Sequence, residues 1–284
     1  MATPVGFFTD VTLCIGCKAC EVACKEWNGL PDNPLVFRDS YDNTGQLDHA
    51  NWRHVQFIEQ VNKTTPDKPI AWSMMSDVCK HCANASCLEV CPTNAIVRTE
   101  FDTVFIQQDV CNGCRDCIAA CPYGVIGFNS NTGTAQKCTF CYDRLQNNLK
   151  PACATACPTQ SIKFGPLDEL RQTAAKRLDT LHQQGMSDAR IYGDKEYGGL
   201  HAFFLLTDKP EAYKLPSTES AVLPSRNNIP GYLGAAVTAV VAAVAGLIAF
   251  RRRGESSTGS FPSSAGGVAG SSPSPARGGG QGGG

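Results

Sequence analysis

Sixteen cysteines, set in four groups of four with none left over, constrain this chain more than any other feature. The most regular group is Cys111, Cys114, Cys117 and Cys121, followed by Pro122, in the spacing C-x2-C-x2-C-x3-C-P. Cys14, Cys17, Cys20 and Cys24 repeat that spacing without the proline. Cys79, Cys82, Cys87 and Cys91 repeat it with two extra residues in the middle gap, and Pro92 follows. Cys138, Cys141, Cys153 and Cys157 carry a longer insertion and end in Pro158. Thiols packed this densely along a chain converge on something they bind, and the rest of the fold has to present them.

Three chemistries use cysteine at this density. A disulfide framework belongs to short secreted chains and lacks such regular spacing. Structural zinc uses two separated C-x2-C pairs, not four close thiols followed by proline. The run C-x2-C-x2-C-x3-C-P is that of a [4Fe–4S] ligand loop, in which three cysteines serve one cube and the fourth ligates the neighbouring cluster. Four groups therefore predict four [4Fe–4S] clusters, with all sixteen cysteines as iron ligands. Gly16, inside the first loop, permits the tight turn that brings N–H groups to sulfur. Lys18 lies beside that loop, either tuning the cluster or simply solvated. His49, His54, His81, His182 and His201 read as ordinary surface or half-buried histidines, since the cysteines already fill every ligand position.

At 284 residues the chain suits one or two domains, and a net charge of −1 gives no pointer to nucleic acid. Residues 79–121 read as a complete two-cluster unit, with a hairpin of Ala95–Arg98 and Val104–Ile106 between its two loops. The exchange rule assigns Cys79, Cys82, Cys87 and Cys121 to one cluster, and Cys91, Cys111, Cys114 and Cys117 to another. If the first and fourth groups pair, Cys14, Cys17, Cys20 and Cys157 form a third. Cys24, Cys138, Cys141 and Cys153 then form the last, with strands at Phe7–Thr9 and Ser161–Phe164 in support. A sequential pairing of first with second and third with fourth is the alternative, and has to bridge residues 26–78.

Trp52–Val61 and Ile70–Met75 predict a hairpin or small sheet around a turn at Pro66–Pro69. Pro166–Gln184 predicts a packing helix closed by Gly185, with Leu167, Leu170, Ala174, Leu178 and Leu181 on one face. Tyr197–Leu206 predicts a glycine turn into a buried strand. Ile229–Phe250 carries no charge and is long enough to cross a bilayer as a helix. Arg251, Arg252 and Arg253 follow it, against Arg226 on the other side, which predicts a cytoplasmic C-terminus and an extracytoplasmic cluster domain. Gly231, Ala235, Ala239 and Ala243 form one small-residue ridge and Gly234, Thr238, Ala242 and Gly246 another, suited to partner membrane helices. Met1–Asp10 lacks the features of a secretory signal. The expected fold is α+β: two nested ferredoxin-like two-cluster units with a β insertion, then one membrane helix. The outer unit takes 1–25 and 122–215, the insertion 26–78 and the inner unit 79–121. A linker covers 216–228, the membrane helix 229–250, and a disordered Gly/Ser/Pro-rich tail 251–284.

The chain resembles the iron–sulfur (beta) subunits of respiratory formate dehydrogenases, within the four-cluster subunits of molybdopterin oxidoreductases. The resemblance lies in Cys14–Cys20 with Cys24-Lys25-Glu26-Trp27-Asn28, in Lys137–Arg144, in Pro151–Thr159 and in the Gly198–Leu206 segment. It implies first-with-fourth and second-with-third pairing. It further implies a molybdenum or tungsten catalytic subunit, a membrane cytochrome b that reduces quinone, and export with a partner bearing a twin-arginine signal. No serine, histidine or carboxylate constellation suggests bond-making, so the expected role is non-catalytic electron transfer. A hydrogenase or a polysulfide, tetrathionate or dimethyl sulfoxide reductase is the alternative setting.

Overall fold

A computed structural model describes residues 3–32, 40–60, 71–216 and 229–256, in two units, 1–228 and 229–284. The Pro66–Pro69 turn, Ile70, Arg226, linker residues 217–228 and the tail beyond 256 lie outside the described residues.

The first unit is built around β1, Val5–Asp10, which is buried on both faces. Its neighbours explain that burial. On one edge β8, Ile162–Pro166, runs antiparallel and sets Phe7 against Phe164 and Thr9 against Ile162. On the other edge β10, Ala202–Leu206, runs parallel, and β9, Arg190–Tyr192, completes the sheet in the order β8-β1-β10-β9. Successive residues point to opposite faces. Phe7 therefore turns toward the cysteine-rich core, where its ring stacks on Phe140 at 4.2 Å. Phe8 turns the other way and stacks on Phe203 at 5.4 Å. The strands anticipated at Phe7–Thr9, Ser161–Phe164 and Tyr197–Leu206 all fall in this sheet. The three-residue β9 is too short to leave a periodic trace.

Helix α6, Leu167–Gln183, covers the Phe8 face with Leu167, Leu170, Ala174 and Leu181 buried and Leu178 at the edge. Its terminus follows the glycine signal. Gly185 takes φ 88°, its N–H donates to His182 O, and Met186 N–H donates to Leu181 O, both at 3.0 Å.

The anticipated insertion hairpin is β2, Arg53–Gln60, paired antiparallel with β3, Ala71–Val78. Strand β3 runs farther than its apolar stretch suggests and delivers the chain directly to Cys79. The inner hairpin is β4, Ile96–Arg98, with β5, Val104–Ile106. A further hairpin, β6 (Gly127–Asn129) with β7 (Thr134–Gln136), follows Cys121 without a warning in the sequence.

In the second unit α7 spans Ile229–Ser256, and Gly231–Arg252 is long and apolar enough to fit a single membrane span. Its described side chains are exposed within the unit. The expectation of a disordered tail from 251 is corrected here: Arg251–Ser256 continue α7. Arginine is a good helix former, and each residue added to an existing helix gains a hydrogen bond without a new nucleus.

Candidate iron–sulfur sites

Each cysteine loop uses the same backbone device. The residue before the second cysteine is left-handed in all four groups: Gly16 at φ 67°, His81 at 44°, Gly113 at 71° and Phe140 at 63°. Glycine takes this shape freely, whereas a side chain costs about 1–2 kcal/mol there. Packing holds the two exceptions. Val104 N–H donates to His81 Nδ1 at 3.0 Å, and Phe140 lies between Phe7 and the edge-on His81 ring at 4.6 Å. A second device follows each Cys-Pro. Asn94, Gly124 and Gln160 are also left-handed, and their N–H groups donate back to Cys91, Cys121 and Cys157 O at 3.3, 3.2 and 3.3 Å. These turns close on the last cysteine of the second, third and fourth groups.

Short helices then carry the remaining thiols. Helix α1, Ala19–Asn28, bears Cys20 and Cys24 one turn apart. Cys87 sits in α2 (Ser86–Glu89) and Cys117 in α3 (Asp116–Ala120). Cys141 precedes α4 (Tyr142–Gln146), and Cys153 lies in α5 (Ala152–Thr155).

Cys14, Cys17, Cys20 and Cys157 line one cavity. Cys79, Cys82, Cys87 and Cys121 line another. Cys91, Cys111, Cys114 and Cys117 line a third. Burial raises the Cys24 thiol well above its ordinary value, and neighbouring Cys153, Cys138 and Cys141 push it the same way. Among the described residues, no three His, Cys, Asp or Glu side chains close on a single-ion point. A tetrahedral zinc site holds each sulfur about 2.3 Å from the metal. Four thiols converging on one cavity match the ligand number of a cube with iron at its corners instead.

Comparison with known proteins agrees with that chemistry. Two family profiles, each described as a 4Fe-4S dicluster domain, match residues 13–95 and 70–167. The nitrate-inducible formate dehydrogenase iron–sulfur subunit of Escherichia coli is 37% identical over 207 residues, covering 72% of this chain and 69% of that protein. The formate dehydrogenase-O iron–sulfur subunit of the same organism is 37% identical over 209 residues, covering 72% and 68%. The chain belongs to the iron–sulfur subunit family of formate dehydrogenases. One polypeptide of the anaerobic dimethyl sulfoxide reductase of Escherichia coli is also similar, at 38% over 175 residues, covering 61% of this chain and 78% of that one. Two dicluster domains hold four [4Fe–4S] clusters, and sixteen cysteines match their ligand number. This iron–sulfur subunit is an electron-transfer component and not a catalytic one.

Burial governs the thiols of this subunit. It pushes Cys20, Cys87 and Cys138 up to about 12, and Cys117 and Cys141 up to about 11. Such thiols keep their protons at neutral pH until a metal replaces them. Cys91 moves the other way. Its modest burial acts upward, but hydrogen bonds from the Ile96 and Ala95 backbone and from Thr93 bring it below the ordinary value.

The histidine expectation needs correction. His49 is half-buried and His182 exposed, but His54, His81 and His201 are almost completely buried. They act as connectors: His54 meets Asp42 at 2.5 Å, and His201 meets Val5 O at 3.0 Å and Asp102 at 3.2 Å. Lys18 lines the Cys14 cavity, yet its ammonium turns to Asn43 Oδ1 at 2.5 Å and stands 3.9 Å from Glu21. That carboxylate offsets its charge toward the cluster. Three further cations, Lys80, Lys137 and Arg53, lie among the thiols without a role that the cysteine spacing assigns. All three are buried, and Lys137 donates to Cys138 O at 3.0 Å. Lys80 and Lys137 adjoin Cys79 and Cys138 in the sequence, which is the signal that was available. Arg53 leaves no local signal at all.

Proposed function

We propose that this chain passes electrons from a formate-oxidising molybdenum or tungsten subunit to a membrane cytochrome b that reduces quinone. The ligand sets are those of the four thiol groups. Cluster 1 takes Cys14, Cys17, Cys20 and Cys157. Cluster 2 takes Cys24, Cys138, Cys141 and Cys153. Cluster 3 takes Cys79, Cys82, Cys87 and Cys121, and cluster 4 takes Cys91, Cys111, Cys114 and Cys117. The two-cluster unit of residues 79–121 is nested within the outer one.

The observation that carries this reading is the continuity of neighbouring thiols. Cys153 acts electrostatically on Cys20, Cys79 on Cys138, and Cys117 on Cys87. The sets thus follow one another as 1, 2, 3 and 4. Cys17 and Cys114 are the exposed thiols among the sixteen, and they belong to the first and last sets. An open end at each terminus of a buried line suits entry and exit of electrons.

Each [4Fe–4S] cluster supplies one-electron redox chemistry, so a row of them splits the two-electron yield of formate oxidation into single steps. The chain's residues ligate, space and insulate. Phe140 N–H donates to Cys138 Sγ at 3.4 Å, and the Thr93 and Thr159 hydroxyls stand 3.8 Å from Cys91 and Cys157 Sγ. Such contacts tune potential.

We also assign α7 to the cytoplasmic membrane as a single pass. Arg251–Arg253 keep the C-terminus in the cytoplasm, and the cluster domain lies outside after export with a twin-arginine partner. The small-residue ridges of α7 receive helices of the cytochrome subunit.

Dimethyl sulfoxide reductase remains the second setting because its similar polypeptide matches equally well by identity. The formate reading is preferred because the formate dehydrogenase subunits align over 72% of the chain and the dimethyl sulfoxide reductase polypeptide over 61%. The test is anaerobic purification of the complex from native membranes, followed by formate under electron paramagnetic resonance. Reduction of several [4Fe–4S] centres by formate is the expected result. Reduction by dithionite alone would leave electron transfer standing and remove formate.

A further inference from the structure

Arg53 opens β2, outside every cysteine loop, and is 2% exposed. Its Nη2 donates to Cys153 Sγ at 3.1 Å. Its Nη1 donates to Ser76 O at 3.3 Å and to Ser76 Oγ at 3.4 Å. Ser76 Oγ in turn stands 3.2 Å from Cys20 Sγ. The guanidinium lies over the Phe7 ring at 4.8 Å, and its Nε is buried with no hydrogen-bond partner among the described residues.

An arginine buried this completely needs a compensating negative charge, because an uncompensated buried ion costs several kcal/mol. The groups acting on Arg53 are Cys153, Cys20 and Cys138. Its counter-charge is therefore sulfur, shared between two thiol sets. A cube held by four thiolates is anionic, and one added electron raises that negative charge by one. A fixed cation and N–H donors aimed at the ligand sulfurs favour the reduced form.

We propose that Arg53 is a positioning residue that raises the potentials of clusters 1 and 2 together. It acts on Cys153 directly and on Cys20 through Ser76. Its two arms, one on Cys153 and one reaching Cys20 through Ser76, keep a hydrogen-bonded bridge between the two sets. The inference rests on the ligand assignment above. It goes beyond that assignment because Arg53 is neither a ligand nor part of a ligand loop.

The test is a redox titration of the purified complex by electron paramagnetic resonance. It compares the wild type with Arg53→Met, Arg53→Lys and Ser76→Ala. In Arg53→Met, two of the four midpoint potentials should fall while the other two hold. The reduction equilibrium of each shifted centre should fall about tenfold, which is ~59 mV for one electron. Arg53→Lys, which keeps the charge and loses the fork, should shift the same two centres by less. Ser76→Ala should shift only one of them. Four centres with unmoved potentials, or four that move together, would overturn the inference. Loss of centres from all three variants would also overturn it, and would assign Arg53 to packing alone. A wild-type complex lacking four [4Fe–4S] centres would instead remove the cluster assignment beneath it.

Discussion

Two pairs of thiol sets solve the same problem in different ways. The sets of Cys79–Cys87 with Cys121, and of Cys91 with Cys111–Cys117, come from one continuous stretch closed by the short β4–β5 hairpin. The sets of Cys14–Cys20 with Cys157, and of Cys24 with Cys138–Cys153, join segments from far along the chain. The near pair closes a short loop, which costs little entropy, and its Cys79–Cys87 stretch is also tied to the segment before β10, where Ala83 N–H donates to Gly199 O at 2.8 Å and Ala202 N–H donates to Lys80 O at 3.0 Å. The distant pair depends on a scaffold. Strand β1 leads into Cys14, β8 leads away from Cys157, and β10 and α6 hold that sheet together with a separate apolar core. Arg53, from the insertion, adds a hydrogen-bonded bridge between the distant sets.

Ligand exchange offers the strongest test of this contrast. Cys24→Ser should abolish the centre of Cys138, Cys141 and Cys153, and Cys91→Ser that of Cys111, Cys114 and Cys117, both read by electron paramagnetic resonance and iron content. If Cys24→Ser damaged only the Cys14–Cys20 centre, the distant pairing would be wrong.

Next in size is the scaffold. Phe8→Ala removes a fully buried ring and should cost about 3–5 kcal/mol in denaturant unfolding. The signals of the distant sets should disappear at lower denaturant than those of the near sets. Simultaneous loss would show that the two pairs share one cooperative scaffold.

A local lesion should act in the opposite sense. An added Cβ at Gly113 would collide with the Gly133 carbonyl oxygen, on top of a left-handed φ of 71°. Gly113→Ala should therefore damage the Cys91–Cys117 centre and spare the distant pair. Gly29→Ala has the same backbone shape at φ 56° but open space, so only the conformational cost of about 1–2 kcal/mol should appear.

In metal-free protein, burial raises Cys20, Cys87 and Cys138 from the ordinary 9.0 to about 12. The unfolded chain ionises first, so the stability tied to these neutral thiols is complete below pH 9 and declines as pH rises toward 12. A melting temperature of the apoprotein that stayed flat over that window would contradict their burial as protonated groups. The smallest effect should come from Trp27→Phe. It removes the exposed Nε1–Asp143 hydrogen bond of 2.8 Å and keeps the ring beneath Arg144, so thermal unfolding should register less than about 1 kcal/mol.

What the amino-acid sequence determined by itself was local: the loop spacings, the turn at Gly16, the hairpins flanked by apolar strands, the α6 face with Gly185 after it, and a helix long enough for a bilayer. Each rests on residues a few positions apart, where spacing translates directly into geometry. The tertiary structure alone decided which features those local pieces share. His81 and Phe140 take the left-handed shape that glycine takes at Gly16 and Gly113, because packing around Phe7 and Val104 compensates their strain. Strand β10 enters beside β1, and His54, His81 and His201 become buried connectors. Arg53 reaches Cys153 and, through Ser76, Cys20. Those outcomes depend on contacts between distant segments, and a buried charge is chosen by what surrounds it in space, which no spacing along the chain records.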